Sequence, residues 1–244
     1  MDQPSSMDTT AKTEDAQAMT LFEHIGEMRK RLLVILIGLG AGVLINFAFA
    51  DKVIAFLAIP IGGLANLQSI EITENVGVFM RVSLLGGFIL AIPLILFEII
   101  AFVEPGLKPG ERKWLFLSIP FLFVMFVGGV AFTYLVMLPA AVPFLVEFLG
   151  VTTVPRLSNY INFVTNLMFW IGLTFETPLV IFILAKLHIV NSRMLLKGWK
   201  FAVIISAVVA AVITPTVDPV NMALLMAPML GLYLLSVLMS VFAR

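Results

Sequence analysis

Acidic side chains stand in this sequence where an apolar run has least use for them. Glu176 lies in Thr174-Phe175-Glu176-Thr177-Pro178, within a long apolar stretch, and Glu98 lies in another. An ionisable group inside a membrane span costs at least about 3 kcal/mol on insertion scales, so each is a functional candidate by default. Pro178 removes the hydrogen bond to the Thr174 carbonyl and is expected to open a polar notch beside Glu176. A carboxyl there suits a proton or ion site, or a contact to a partner helix. It suits equally a protonated side chain bonded to a neighbouring helix as structural glue. Glu98 sits near the cytoplasmic end of its run, where a carboxylate can snorkel to the headgroups. Asp218 precedes Pro219 in Thr214-Pro215-Thr216-Val217-Asp218-Pro219, a helix-start signature in which the carboxylate caps free amides. Capping and a functional role both remain open for it.

A second acidic group gathers at the polar edge. Glu23 and Glu27 are four apart and share one helix face, where like charges repel by a few tenths of a kcal/mol. A cationic guest would relieve that repulsion, and so would pairing of Glu27 with Lys30 and Arg31 on its own helix. Glu111, in Pro109-Gly110-Glu111-Arg112-Lys113, falls in a first helical turn, where the helix dipole favours it.

The elements that carry these acids follow from composition. Of the 244 residues, 61% are hydrophobic and 12% charged, far from the balance of a water-soluble domain. Fifteen basic and fifteen acidic residues leave no net charge, so nothing draws the chain toward nucleic acid. With no cysteine, disulfides, thiolate metal sites and cysteine nucleophiles are excluded. The fold class is all-α integral membrane. Residues 1–20 form a polar, acid-leaning tail expected to be disordered, and residues 21–244 a single membrane domain. Thr20 followed by Glu23 is a capping-box pattern, opening a short amphipathic helix over Leu21 to Arg31 at the membrane surface. Six spans follow, roughly Leu32–Ala50, Val78–Val103, Trp114–Leu138, Tyr160–Leu187, Phe201–Ile213 and one from about Pro219, the last two short or tilted.

Orientation comes from the basic residues. Arg29, Lys30 and Arg31 precede span one, Lys108, Arg112 and Lys113 separate spans two and three, and Arg193, Lys197 and Lys200 separate spans four and five. Those segments face the cytoplasm, with both termini inside. The opposite loops carry only Lys52, Arg81 and Arg156. Two of them, Lys52 to Leu67 around Pro60 and Ala140 to Leu149 around Pro143, read as amphipathic segments on the outer interface. No repeat of interrupted helices marks a solute carrier. His24 and His188 lack metal-ligand neighbours, and no phosphate loop, GxSxG or HExxH occurs. No enzyme, metal or cofactor is expected.

Four segments taken together resemble a known family: Glu27-Met28-Arg29-Lys30-Arg31-Leu32, Phe102-Val103-Glu104-Pro105-Gly106-Leu107 running into Glu111-Arg112-Lys113, Phe175-Glu176-Thr177-Pro178, and Thr214-Pro215 with Asp218-Pro219. In order and spacing they are similar to TatC, the signal-receptor core of the twin-arginine protein translocase. The resemblance implies a glove-shaped bundle of six helices, N-in and C-in, with short fifth and sixth helices, in a bacterial cytoplasmic membrane. It implies binding of the twin-arginine signal peptides of folded precursors, recruitment of single-span subunits of TatA or TatB type, and assembly with further copies of itself. Glu27 and Glu111 match the acids of the signal-binding patch and Phe102 the aromatic beside it, with Glu23 and Arg29 assigned to the same patch. Glu176, Pro60, Asp218 and Glu98 are assigned to partner contact or translocation. Glu98 stands where many members have glutamine, Asn75 where many have proline, and Met222 where many have glutamine. Forked guanidinium donors are well matched by carboxylates at a membrane edge. The rival reading, a transporter or channel with Glu176 as its proton or ion site, rests on that residue alone.

Overall fold

The structure is a computed structural model that describes residues 21–104, 109–146, 154–214 and 219–242; side chains are described from residue 24 and, in the second segment, from residue 112. The helices are α1 Leu21–Phe47, α2 Ala50–Leu57, α3 Glu74–Val103, α4 Pro109–Phe132, α5 Leu138–Val146, α6 Leu157–Lys186, α7 Ser192–Lys197, α8 Trp199–Ile213 and α9 Pro219–Phe242. The six crossing segments are α1, α3, α4 with its extension α5, α6, α8 and α9; five are long and apolar enough to cross, and α8 is the shorter apolar one. At 15 residues α8 rises about 22 Å, against a hydrocarbon core of about 30 Å.

Contacts between helix ends agree with the alternation. The start of α1 meets the end of α3, where Arg31 bonds Glu98. The start of α3 meets the start of α6, where Arg156 bonds Glu74. Helices can pack this closely in lipid only where small residues let backbones approach. A Cβ on Gly42 of α1 would lie 2.6 Å from the Gly87 carbonyl oxygen of α3, and one on Gly129 of α4 would lie 2.9 Å from Gly172 of α6. One core of buried side chains joins Val82 of α3, Leu138 of α5, Ile161, Val164 and Leu167 of α6, Ala210 of α8 and Leu225 of α9.

Several boundaries differ from the sequence reading. Residues 21–31 are not a separate surface helix: α1 runs unbroken from Leu21 to Phe47, and no proline interrupts it. Span three does not stop at Leu138. It passes through a π-helical turn, Thr133–Met137, into α5, whose Leu138, Ala141 and Val142 are buried. Of the expected interfacial segment Ala140 to Leu149, Ala141 and Val142 thus enter the core while Pro143 stays exposed, and Glu147 to Leu149 lie outside the described residues. The first outer loop likewise sends Leu57, Ala58 and Ile61 into that core. The sixth helix is long, with 24 residues from Pro219, because Ser236 and Ser240 turn their hydroxyls onto carbonyls of their own helix and leave its apolar surface unbroken. Arg81 is not a loop residue. It lies within α3 and donates to Thr165 (2.9 Å) and Asn166 (2.6 Å) of α6. At the outer end, Glu74 accepts from Arg156 Nε (3.0 Å), from the Ile70 amide (2.9 Å) and from the Ser158 amide (2.7 Å). A bridge between Gln68 and Arg156 ties the same two loops together.

Candidate functional site

Two helix ends build a polar patch at the cytoplasmic side. On α1 the spacing of four puts Glu27 and Arg31 on one face, and the Arg31 fork closes on Glu27 Oε1 through Nε (3.0 Å) and Nη2 (2.5 Å). The remaining arm, Nη1, reaches across to Glu98 Oε2 of α3 at 3.0 Å. Glu98 is thus buried and paired, not snorkelling; its partner lies 67 positions away, which no local pattern reveals. One turn further along α3, Phe102 stacks on His24 with ring centroids 4.3 Å apart, closing the patch on its apolar side. Beyond it Glu104 pairs with Arg112 of α4.

Two carboxylates against one guanidinium leave the centre of this patch one negative charge in excess. The excess has an address. Glu27 Oε2 is buried and has no hydrogen-bond partner among the described residues. A buried carboxylate oxygen left without a donor costs about 1–3 kcal/mol, which a guanidinium or ammonium guest would recover.

The candidates drawn from the sequence separate accordingly. Glu27, Glu98 and Phe102 come together, with Arg29 exposed on the same end of α1. Glu23 and Glu111 lie in the first turns of α1 and α4, and their side chains fall outside the described residues, as does Asp218 altogether. Pro60 sits in the turn Ile59–Ile61, on the outer side. Sequence reasoning missed His24, set aside for want of metal-ligand neighbours, and Arg31 as the bridge. The i, i+4 spacing of Glu27 and Arg31 was the one legible signal.

Glu176 occupies a second, drier place. Its side chain is buried in mid α6, and its Oε1 has no hydrogen-bond partner among the described residues. It lines a cavity of about 280 Å³ walled by Leu96, Ile100 and Val103 of α3, Leu115 and Leu122 of α4, and Leu187 at the end of α6. The expected break at Pro178 is absent: α6 stays helical through it. Thr174 donates its hydroxyl to the Trp170 carbonyl at 2.8 Å, within its own helix. The notch is therefore a single carboxyl facing an apolar cavity.

Residues 23–228 match the family of Sec-independent protein translocase protein (TatC). The chain belongs to the TatC family. It is 38% identical over 232 residues to the Sec-independent protein translocase protein TatC of Deinococcus radiodurans, covering 90% of this chain and 85% of that one. It is 36% identical over 229 residues to the TatC of Carboxydothermus hydrogenoformans, covering 93% and 94%. A chloroplastic relative from Arabidopsis thaliana is 39% identical over 227 residues, covering 90% of this chain and 66% of the relative. A crystal structure of the twin arginine translocase receptor TatC superposes with a TM-score of 0.82 at 32% identity, covering 91% of this chain and 99% of that one. This TatC chain is a multi-pass membrane subunit of the Sec-independent translocase and belongs to a non-enzymatic family. The solute-carrier reading of Glu176 is set aside by that membership.

Proposed function

We propose that the Arg31-bridged carboxylates are the seat of the twin-arginine motif of a signal peptide, one guanidinium taking the free oxygen of Glu27 and the other approaching Glu98. The observation that carries this is the unpartnered, buried Glu27 Oε2 in a cluster of two carboxylates that share one guanidinium. Phe102 and His24 supply a flat apolar side against which the peptide backbone or a guanidinium plane packs. Glu111 adds charge from the start of α4, with Glu23 and Arg29 flanking on α1. The apolar part of the peptide lies along the spans.

Glu176 is the contact for a polar group of a single-span partner of TatA or TatB type, reached through the membrane. Pro60 and Asp218 contribute to partner contact or to translocation. The assembled receptor holds several copies of the chain in a bacterial cytoplasmic membrane. The test is a comparison of two synthetic signal peptides, one with the arginine pair and one with a lysine pair, titrated onto the chain in lipid nanodiscs. Lysine keeps the charge and loses the fork, so binding is expected to weaken by about tenfold. Equal affinities would remove the bidentate reading.

A further inference from the structure

Between α4 and α6, across the Leu115, Ile183 and Leu187 wall that it shares with the Glu176 cavity, the two helices open into a groove of about 430 Å³ at their cytoplasmic ends. Its walls are Leu117 and Phe121 of α4 and Leu179, Phe182 and Ile183 of α6, with Trp114 at the mouth. Trp114, Leu117 and Phe121 are each more than half exposed, so the groove opens sideways toward lipid. From Trp114 to Phe121 it runs about 10 Å, some two-thirds of a hydrocarbon leaflet of about 15 Å. Its floor offers no free donor, because the one hydroxyl there, on Ser118, donates to the Leu115 carbonyl of its own helix at 2.6 Å.

The mouth is basic. Lys186 Nζ lies 5.4 Å from the centre of the Trp114 ring, and Lys113 and His188 are exposed beside it in sequence. His188 takes a left-handed backbone with φ of 60°, which ends α6 there. No acid lines the groove among the described residues, and Glu104 at the same end of the bundle is held by Arg112.

We propose that this groove binds one acyl chain of an anionic phospholipid of the cytoplasmic leaflet, with the headgroup phosphate held by Lys186 and Lys113. A peptide in extended form would lose every backbone hydrogen bond on that floor, whereas an acyl chain has none to lose. A zwitterionic lipid such as phosphatidylcholine also brings a phosphate, but its ammonium group stands against Lys186 and Lys113 and offsets much of the attraction. The inference rests on the orientation of the bundle, not on where the signal peptide binds.

The chain has three tryptophans, so Trp170→Phe with Trp199→Phe leaves Trp114 as the sole reporter. The full chain is placed in phosphatidylcholine vesicles carrying a minor fraction of phosphatidylglycerol or phosphatidylcholine brominated on its acyl chains. Brominated phosphatidylglycerol is expected to quench Trp114 at a mole fraction roughly fivefold to tenfold lower than brominated phosphatidylcholine does. Lys113→Gln with Lys186→Gln, both on exposed side chains, should abolish that preference, while Lys52→Gln at the outer end leaves it intact. Equal quenching by the two lipids, or a preference that survives the double substitution, overturns the proposal. Relief of quenching by a saturating twin-arginine peptide would assign the groove to the peptide and also overturn it.

Discussion

Replacing Glu98 by glutamine isolates what the second carboxylate adds, because glutamine keeps the shape and an acceptor oxygen and removes only the charge. In the native patch Glu98 Oε2 lies 3.0 Å from Arg31 Nη1, with 11% of the Glu98 side chain exposed. A charge pair about 4 Å apart at an effective dielectric of about 20 attracts by about 4 kcal/mol. Desolvation cancels much of that, leaving about 1.5–3 kcal/mol for a hydrogen bond between charged groups. Glutamine retains a neutral bond, so the fold should lose only about 1 kcal/mol.

Binding should suffer more clearly than folding. A guest guanidinium about 7 Å from Glu98 feels about 2.4 kcal/mol of attraction at the same dielectric, and salt and partial exposure reduce it. About 1.4 kcal/mol surviving corresponds to a tenfold weaker Kd. The assay is fluorescence anisotropy of a labelled twin-arginine peptide on the chain in nanodiscs, at low and at high salt. Glu98→Gln should weaken binding about tenfold at low salt, and the gap should narrow as salt rises. An affinity within about twofold of the parent at low salt, or a loss that salt does not change, would mean that Glu98 only anchors Arg31.

Other outcomes follow from the same geometry. Glu111→Ala should weaken peptide binding and Glu111→Lys should weaken it further, since the second adds repulsion where the first removes attraction; near-native titrations for both would exclude Glu111 from the patch. Glu176→Gln should leave insertion intact, by protease mapping of the loops, yet impair transport, and a Glu176→Leu variant that transports like the parent would make the residue a passive polar group. Arg156→Met removes the guanidinium shared by Glu74 and Glu71, though Glu74 keeps its backbone amides, so thermal unfolding in detergent should register a lower melting temperature; an unchanged melting temperature would show the outer clasp to be idle. Inserting about six leucines near Val208 lengthens α8 toward the roughly 30 Å core, so vesicle transport should fall while peptide binding persists; transport equal to the parent would leave the short helix without a part in translocation.

The membrane architecture was legible in the sequence because lipid imposes a simple rule: long apolar runs must become helices, and basic residues mark the inner side. The short fifth helix was visible for the same reason. What escaped were features set by contact between distant segments. The reach from Arg31 to Glu98 depends on α1 and α3 meeting at Gly42 and Gly87, and no periodicity within either helix encodes that encounter. The outer clasp of Glu74 and Arg156 was hidden likewise, as was Arg81, whose partners Thr165 and Asn166 lie on another helix. The continuity of α1 and the passage of α4 into α5 were misread at their boundaries, where an amphipathic turn and a proline resembled endings that packing then overrode.

If the twin-arginine motif sits between Glu27, Glu98 and Phe102, a photo-crosslinking amino acid placed at Phe102 must lie beside it. Membranes carrying that variant, presented with a twin-arginine precursor, put the placement to a direct test. The expected product is a crosslink to residues beside the arginine pair, lost when the pair is changed to lysines and competed away by free signal peptide. A crosslink of equal yield for both precursors, or one confined to the apolar segment far from the pair, would contradict the placement.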